Sequence, residues 1–156
     1  MNSMAIATAA PAPHPRLAAV LAVLGWFPSA LQQLLFRVAV GSVFFKAGLV
    51  KVQSWETTVA LFRDEYQVPV FSPELAAMLA STCELGGSAL LVVGLATRVA
   101  TLPLLGMLLV IQVFVYPSAW PEHLVWGSIL LALLTRGAGA ISLDRLLGLE
   151  PSGHGA

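Results

Sequence analysis

An all-α fold, an integral membrane four-helix bundle behind a short N-terminal interfacial helix, follows from three observations. The chain is 58% hydrophobic and only 10% charged, with a mean hydropathy of +0.85, whereas soluble domains are roughly 45–50% apolar and about 25% charged. Its apolar residues fall in long runs separated by short turns. A helix crosses a bilayer with about 20 such residues, so 156 residues hold four crossings and leave no length for a soluble catalytic domain. Third, 8 basic residues balance 8 acidic ones, which leaves no field to collect polyanions and excludes nucleic acid as a partner. A single cysteine, Cys83, removes an internal disulfide, a Cys-x-x-Cys relay and a structural zinc site. Any chemistry belongs in the membrane, at its surface, or in a partner.

Residues 1–16 are rich in Ala and Pro without apolar periodicity and read as a disordered tail. Leu17 to Phe27 is an apolar run closed by Pro28, too short to cross a bilayer. It has the length of a signal-peptide core, with Pro28-Ser29-Ala30 resembling a cleavage site, or of a helix lying along the headgroups. A full span follows at once, which favours the interfacial helix over 17–30. The four-span domain then occupies 31–147, with a tail over 148–156. Its first span is Leu34–Val52; a hydrophilic loop, 53–72, follows, with Pro69 marking an irregular connection. The second span is Glu74 to about Leu95, with Pro73 suited to the helix start. Gly94 to Arg98 is a tight turn, making spans two and three an antiparallel hairpin. Span three is Val99–Tyr116, with Pro103 early enough to disturb it little. Pro117 to Pro121 turns at the opposite surface, where an interfacial Trp120 belongs. Span four, Glu122–Thr135, is the shortest. It stops at Arg136-Gly-Ala-Gly before a short helix over 142–147 with Ser142 as N-cap.

Arg16, Arg98, Arg136 and Arg145, with Arg37 just inside, collect on one side, while Lys51 and Arg63 on the other are diluted by Glu56, Asp64, Glu65, Glu74 and Glu122. The positive-inside rule then makes both termini cytoplasmic.

Ionisable groups inside spans cost roughly 2.5–3.5 kcal/mol each at the centre, so each asks for a partner or a purpose. Glu84 lies on a stripe of small residues, Ala77, Ala80, Ser81, Gly87 and Ser88, that lets another helix approach closely. Arg37, Gly41, Phe44, Gly48 and Lys51 form a matching face on span one, and the two stripes are expected to meet. Two readings of Glu84 stay open. It is a structural ion pair or buried acid, or else, with Arg37 or Arg98, it forms a polar pocket for a quinone, a proton path or a small anion. Arg98 and Lys51 also read as topology anchors, and Gln112 as interhelical glue. Lys46 is about 180° from Arg37 around the helix. It therefore snorkels outward or meets another subunit, with Phe45 and Leu49 beside it, which makes it the candidate for contact in a homo-oligomer or hetero-complex. His123 is a satisfied interfacial histidine or a weak metal or haem ligand. With His14 and His154 in the tails, a two-histidine haem within one chain is not expected, and the soft ligands are too scattered to indicate a metal site. Phosphate loops, nucleophile elbows and paired-carboxylate signatures are absent from the sequence.

Together, Phe44-Phe-Lys-Ala-Gly-Leu-Val-Lys51, Tyr66-x-Val-Pro69, Cys83-Glu-Leu-Gly86, Gly94-Leu-Ala-Thr-Arg98, and Arg136-Gly-Ala-Gly139 with Ser142-Leu-Asp144 resemble the DoxX family over about residues 34–147. The resemblance implies a four-span protein of the bacterial inner membrane, related in name to the small subunit of a thiosulfate:quinone oxidoreductase and to membrane partners of thiol-stress enzymes. Phe-Phe-Lys-x-Gly and Val-Phe-Val-Tyr-Pro-x-x-Trp-Pro look closest to a subgroup associated with metal-stress operons and peptide-modifying partners. Family patterns often carry Arg-Gly-Pro-Gly where this chain has Arg136-Gly-Ala-Gly, a departure touching loop stiffness. No agreed catalytic residue comes with the resemblance. Its implied roles are a membrane subunit supporting redox or stress chemistry, with quinone as the candidate cofactor, a non-catalytic scaffold for a soluble partner, or a small-solute or metal-complex transporter.

Overall fold

The computed structural model describes residues 14–149, all helix, turn and loop. The expectations for the first 13 residues and for 150–156 lie outside that range. Helix α1, Pro15–Leu24, occupies the place expected of the interfacial helix, with its described side chains exposed. Pro28 separates it from α2, Ser29–Gln53, which starts five residues before the expected span because nothing from Ser29 to Gln33 interrupts a helix. Helix α3, Trp55–Leu61, runs on into a wide π turn over Phe62–Tyr66. From its composition this segment reads as loop, but its charged residues are the outer face of a helix whose Thr58, Val59 and Phe62 are buried.

Helix α4, Pro73–Val93, contains a second π turn over Cys83–Gly87. Ser72 caps it by accepting from the Leu75 N–H at 3.3 Å. Gly94, at φ 71°, ends it, and α5, Thr97–Val115, finishes in a third π turn over Ile111–Val115. After a single 3₁₀ turn, Pro117–Ala119, comes α6, Trp120–Arg136, and then the short α7, Leu143–Leu146.

Helices α2, α4 and α5 are each long and apolar enough to cross a membrane. The 17 residues of α6 cover about 25 Å and pack along α5. The chain is thus an all-α membrane bundle. Its core is Val40, Phe44, Leu91, Leu104, Leu108, Leu130 and Leu133, with Trp126 edge-on to Phe44 at 6.3 Å. Helices α2 and α4 are antiparallel and very close. A Cβ on Gly41 would stand 2.8 Å from Val92 Cγ2, and one on Gly48 2.8 Å from Leu85 Cγ. The two small-residue stripes therefore meet, as small residues permit where lipid offers no hydrophobic drive.

Candidate functional site

The antiparallel register decides which charges meet. Gly48 lies against Leu85 and Glu84, so Lys51, one turn further, reaches the Glu84 carboxylate and donates to both oxygens at 2.8 Å. Arg37 lies four turns away, about 21 Å along α2, and Arg98 sits beyond Gly94 at that same far end. The cation beside Glu84 is thus Lys51 rather than Arg37 or Arg98. Glu84 is 1% exposed, while the Lys51 side chain retains 20% exposure. Thr58 Oγ1 donates to the Lys51 carbonyl at 3.0 Å and ties α3 over the end of α2.

The ion pair borders a cavity of about 370 Å³ between α4, α5 and the α3 segment. Its walls are apolar, with Phe62, Val68, Leu79, Met107 and Ile111 among them, and Cys83 stands half-buried in the wall beside Glu84. Tyr66 and Tyr116 also line the cavity, with hydroxyls 3.4 Å apart and rings meeting edge to face at 6.0 Å. Burial, followed by the hydrogen bond with Tyr116, pushes the Tyr66 phenol well above its ordinary range. Each of the three π turns contributes to the wall: Phe62 and Tyr66, Cys83 and Glu84, Ile111 and Val115. Single π turns inside helices are frequent at functional sites.

At the other end of the bundle, Arg37 is 1% exposed and donates to the carbonyls of Ile141 and Val92. Asp144 on α7 receives the N–H groups of Ala96 and Thr97 at 2.6 and 2.9 Å, and its own N–H donates to the Gly94 carbonyl at 2.8 Å. This anionic cap satisfies the exposed N–H groups at the start of α5. Ser142 accepts from the Arg145 N–H as the expected N-cap. Arg37 therefore joins α2 to the α4–α5 turn and to the chain after α6.

The other singled-out residues are dispersed. Gln112 bridges α5 to α6, its Oε1 2.7 Å from His123 Nδ1 and its Nε2 donating to the Pro117 carbonyl at 2.8 Å. Arg98 is half-buried near the Gly94 turn, and Lys46 is exposed on the outward face of α2. Among the described residues, no three of His, Cys, Asp and Glu come together in a way that would hold a metal ion. Phe62, Tyr66, Tyr116 and Asp144 are not among the site candidates that the sequence offers. The sequence puts Tyr66 in the hydrophilic segment and Tyr116 at the end of span three, and only the fold brings them together.

Comparison with known proteins gives one family: the DoxX model matches residues 32–117, from α2 through the Tyr116 turn. No curated protein and no solved structure matches the chain.

Proposed function

The chain belongs to the DoxX family, and on that premise we propose that it is a small membrane subunit supporting redox or stress-response chemistry whose Lys51–Glu84 cavity receives a quinone ring. The observation that carries this reading is the combination of an apolar chamber of about 370 Å³ with hydrogen-bond donors in its wall. Lys51 has three N–H donors, and Glu84 takes two of them. Of the two paired tyrosine hydroxyls, one donates to the other and leaves a proton to give. Two donors in an otherwise apolar cavity suit a flat molecule with two carbonyl oxygens. When bound, a quinone supplies two-electron, two-proton chemistry. Lys51 and a tyrosine would orient its oxygens, Glu84 would keep Lys51 charged, and the aromatic and aliphatic walls would exclude water. The same family premise favours the bacterial inner membrane, and the Phe-Phe-Lys-x-Gly and Val-Phe-Val-Tyr-Pro-x-x-Trp-Pro segments favour the metal-stress subgroup. Arg98, Arg136 and Arg145 favour a cytoplasmic location for the end carrying α7, and the face of Lys46, Phe45 and Leu49 is the proposed contact with another copy or a partner subunit.

Cys83, the only cysteine of the chain, provides the test, because it lines the cavity. In nanodiscs, decylubiquinone is expected to slow its alkylation by N-phenylmaleimide saturably, and Lys51→Met is expected to weaken that protection. Equal alkylation rates with and without the quinone would rule the reading out.

A further inference from the structure

A second cavity, a groove of about 550 Å³ between α5 and α6, carries its own hydrogen-bonding logic. Leu105, Leu109 and Gly127 form its apolar part, and Gln112, Trp120 and His123 its polar part. The Pro117 carbonyl can only accept, so the Gln112 side-chain nitrogen must be the atom facing it at 2.8 Å. Gln112 Oε1 is thereby turned to His123 Nδ1, 2.7 Å away, and an amide oxygen also only accepts. Nδ1 therefore carries a proton, and in the tautomer this fixes, Nε2 is the lone-pair acceptor. Orientation of one ring nitrogen by a fixed acceptor is the arrangement that readies the other nitrogen for a ligand. His123 is 6% exposed, so any donor that meets Nε2 does so largely out of water. Trp120 lines the same groove, and its indole carries one N–H donor.

We infer that this groove is a second ligand site and that it takes a lipophilic phenol, whose hydroxyl donates to His123 Nε2 and accepts from Trp120. A hydroxyl can serve both an acceptor and a donor of one groove, whereas a carbonyl would leave Nε2 unmet. Phenols donate to a neutral imidazole more strongly than aliphatic alcohols do, and the apolar flank accepts a flat ring and its tail. The inference uses none of the residues of the Lys51 cavity and stands or falls separately from the quinone reading.

The test uses the full chain in nanodiscs, with His14 and His154 replaced by glutamine so that His123 is the only imidazole to be labelled with ¹⁵N. 4-Octylphenol is expected to move the Nε2 signal upfield saturably and to bind about tenfold more tightly than 4-octylanisole, which keeps the shape and lacks the donor, since one net hydrogen bond corresponds to roughly that factor. Dodecanol is expected to bind several-fold more weakly than the phenol. Gln112→Leu, which frees the tautomer, is expected to erase the preference for phenol over anisole. An unmoved Nε2 signal, equal binding of phenol and anisole, or equal binding of phenol and dodecanol would each overturn the proposal. Because these comparisons are made on the histidine-reporter protein, they hold even if the Gln112 variant fails to fold.

Discussion

Lys51 and Glu84 are unequal partners. Glu84 is sealed in the bundle, while Lys51 keeps partial contact with the surface. Lys51→Met strands a buried carboxylate and is expected to cost about 3 kcal/mol of stability, whereas Glu84→Leu leaves a lysine able to reach water and costs less. The double variant, apolar on both sides, is expected to recover most of the loss or exceed the parent. Chemical unfolding in detergent orders the three; a double variant no better than Lys51→Met would mean that the pair does not act as a unit. Tyr66 gives a pH-dependent prediction. Its folded-state affinity for the proton is raised, so the packing it makes with Tyr116 is complete below about pH 10, the ordinary phenol range, and is lost as pH climbs beyond it. Absorbance at 295 nm should show tyrosine ionisation extending above that range, and Tyr116→Phe should draw it back. At this scale Glu84 was legible, since a carboxylate in the middle of an apolar run demands a partner. The identity of that partner was not legible: Arg37 and Lys51 share one helix face, and helical periodicity fixes the angle around an axis but not the sliding of one helix along another.

Two glycines permit the close approach of α2 and α4, and one carboxylate caps the start of α5. Gly48→Ala would place a methyl group 2.8 Å from Leu85 Cγ and 3.0 Å from Glu84 Cβ. That overpacking is expected to cost about 1–3 kcal/mol and to spread α2 from α4; a disulfide engineered between the two helices, formed in the parent and slowed in the variant, reads the displacement. Asp144→Ala removes both acceptors at the start of α5 and is expected to cost about 1–2 kcal/mol, seen as a lower unfolding midpoint without loss of helix content. The three long apolar helices, the α4 start at Pro73 and the Ser142 cap were legible because each has a local chemical signature. Helix α3 was obscured by its charged outer face. The π turns have no residue signature, for the wide turn at Cys83–Gly87 is held by packing from α2 and α5.

The bundle as a whole presents an arginine-bearing end, where α7 clamps the α4–α5 turn, and an end where the cavity lies beneath the α3 segment. Reporter fusions at Val70, 92% exposed, are expected to report the outside, and fusions at both termini the cytoplasm; a cytoplasmic signal from Val70 would reverse the assignment. Native mass spectrometry from mild detergent is expected to show a dimer or a complex that Lys46→Leu changes, and a monomer indifferent to that substitution would argue against contact through this face. Hydropathy made the class readable, but the cavity is a product of three helices meeting and is written in none of them singly. The π turn at Glu84 has one last implication. A π turn holds one residue more than the α-helical ladder requires, so deleting Gly86, whose Cα faces open space, would let the helix close into regular α form. The turns on either side would keep their facing, since the residue removed is the surplus one, while Glu84 inside the turn would be re-aimed by roughly 40° relative to Ser88 without any change to either side chain. The aim of the carboxylate is thus a matter of counting: a single lost codon, invisible to any inventory of polar residues, would redirect it against Lys51.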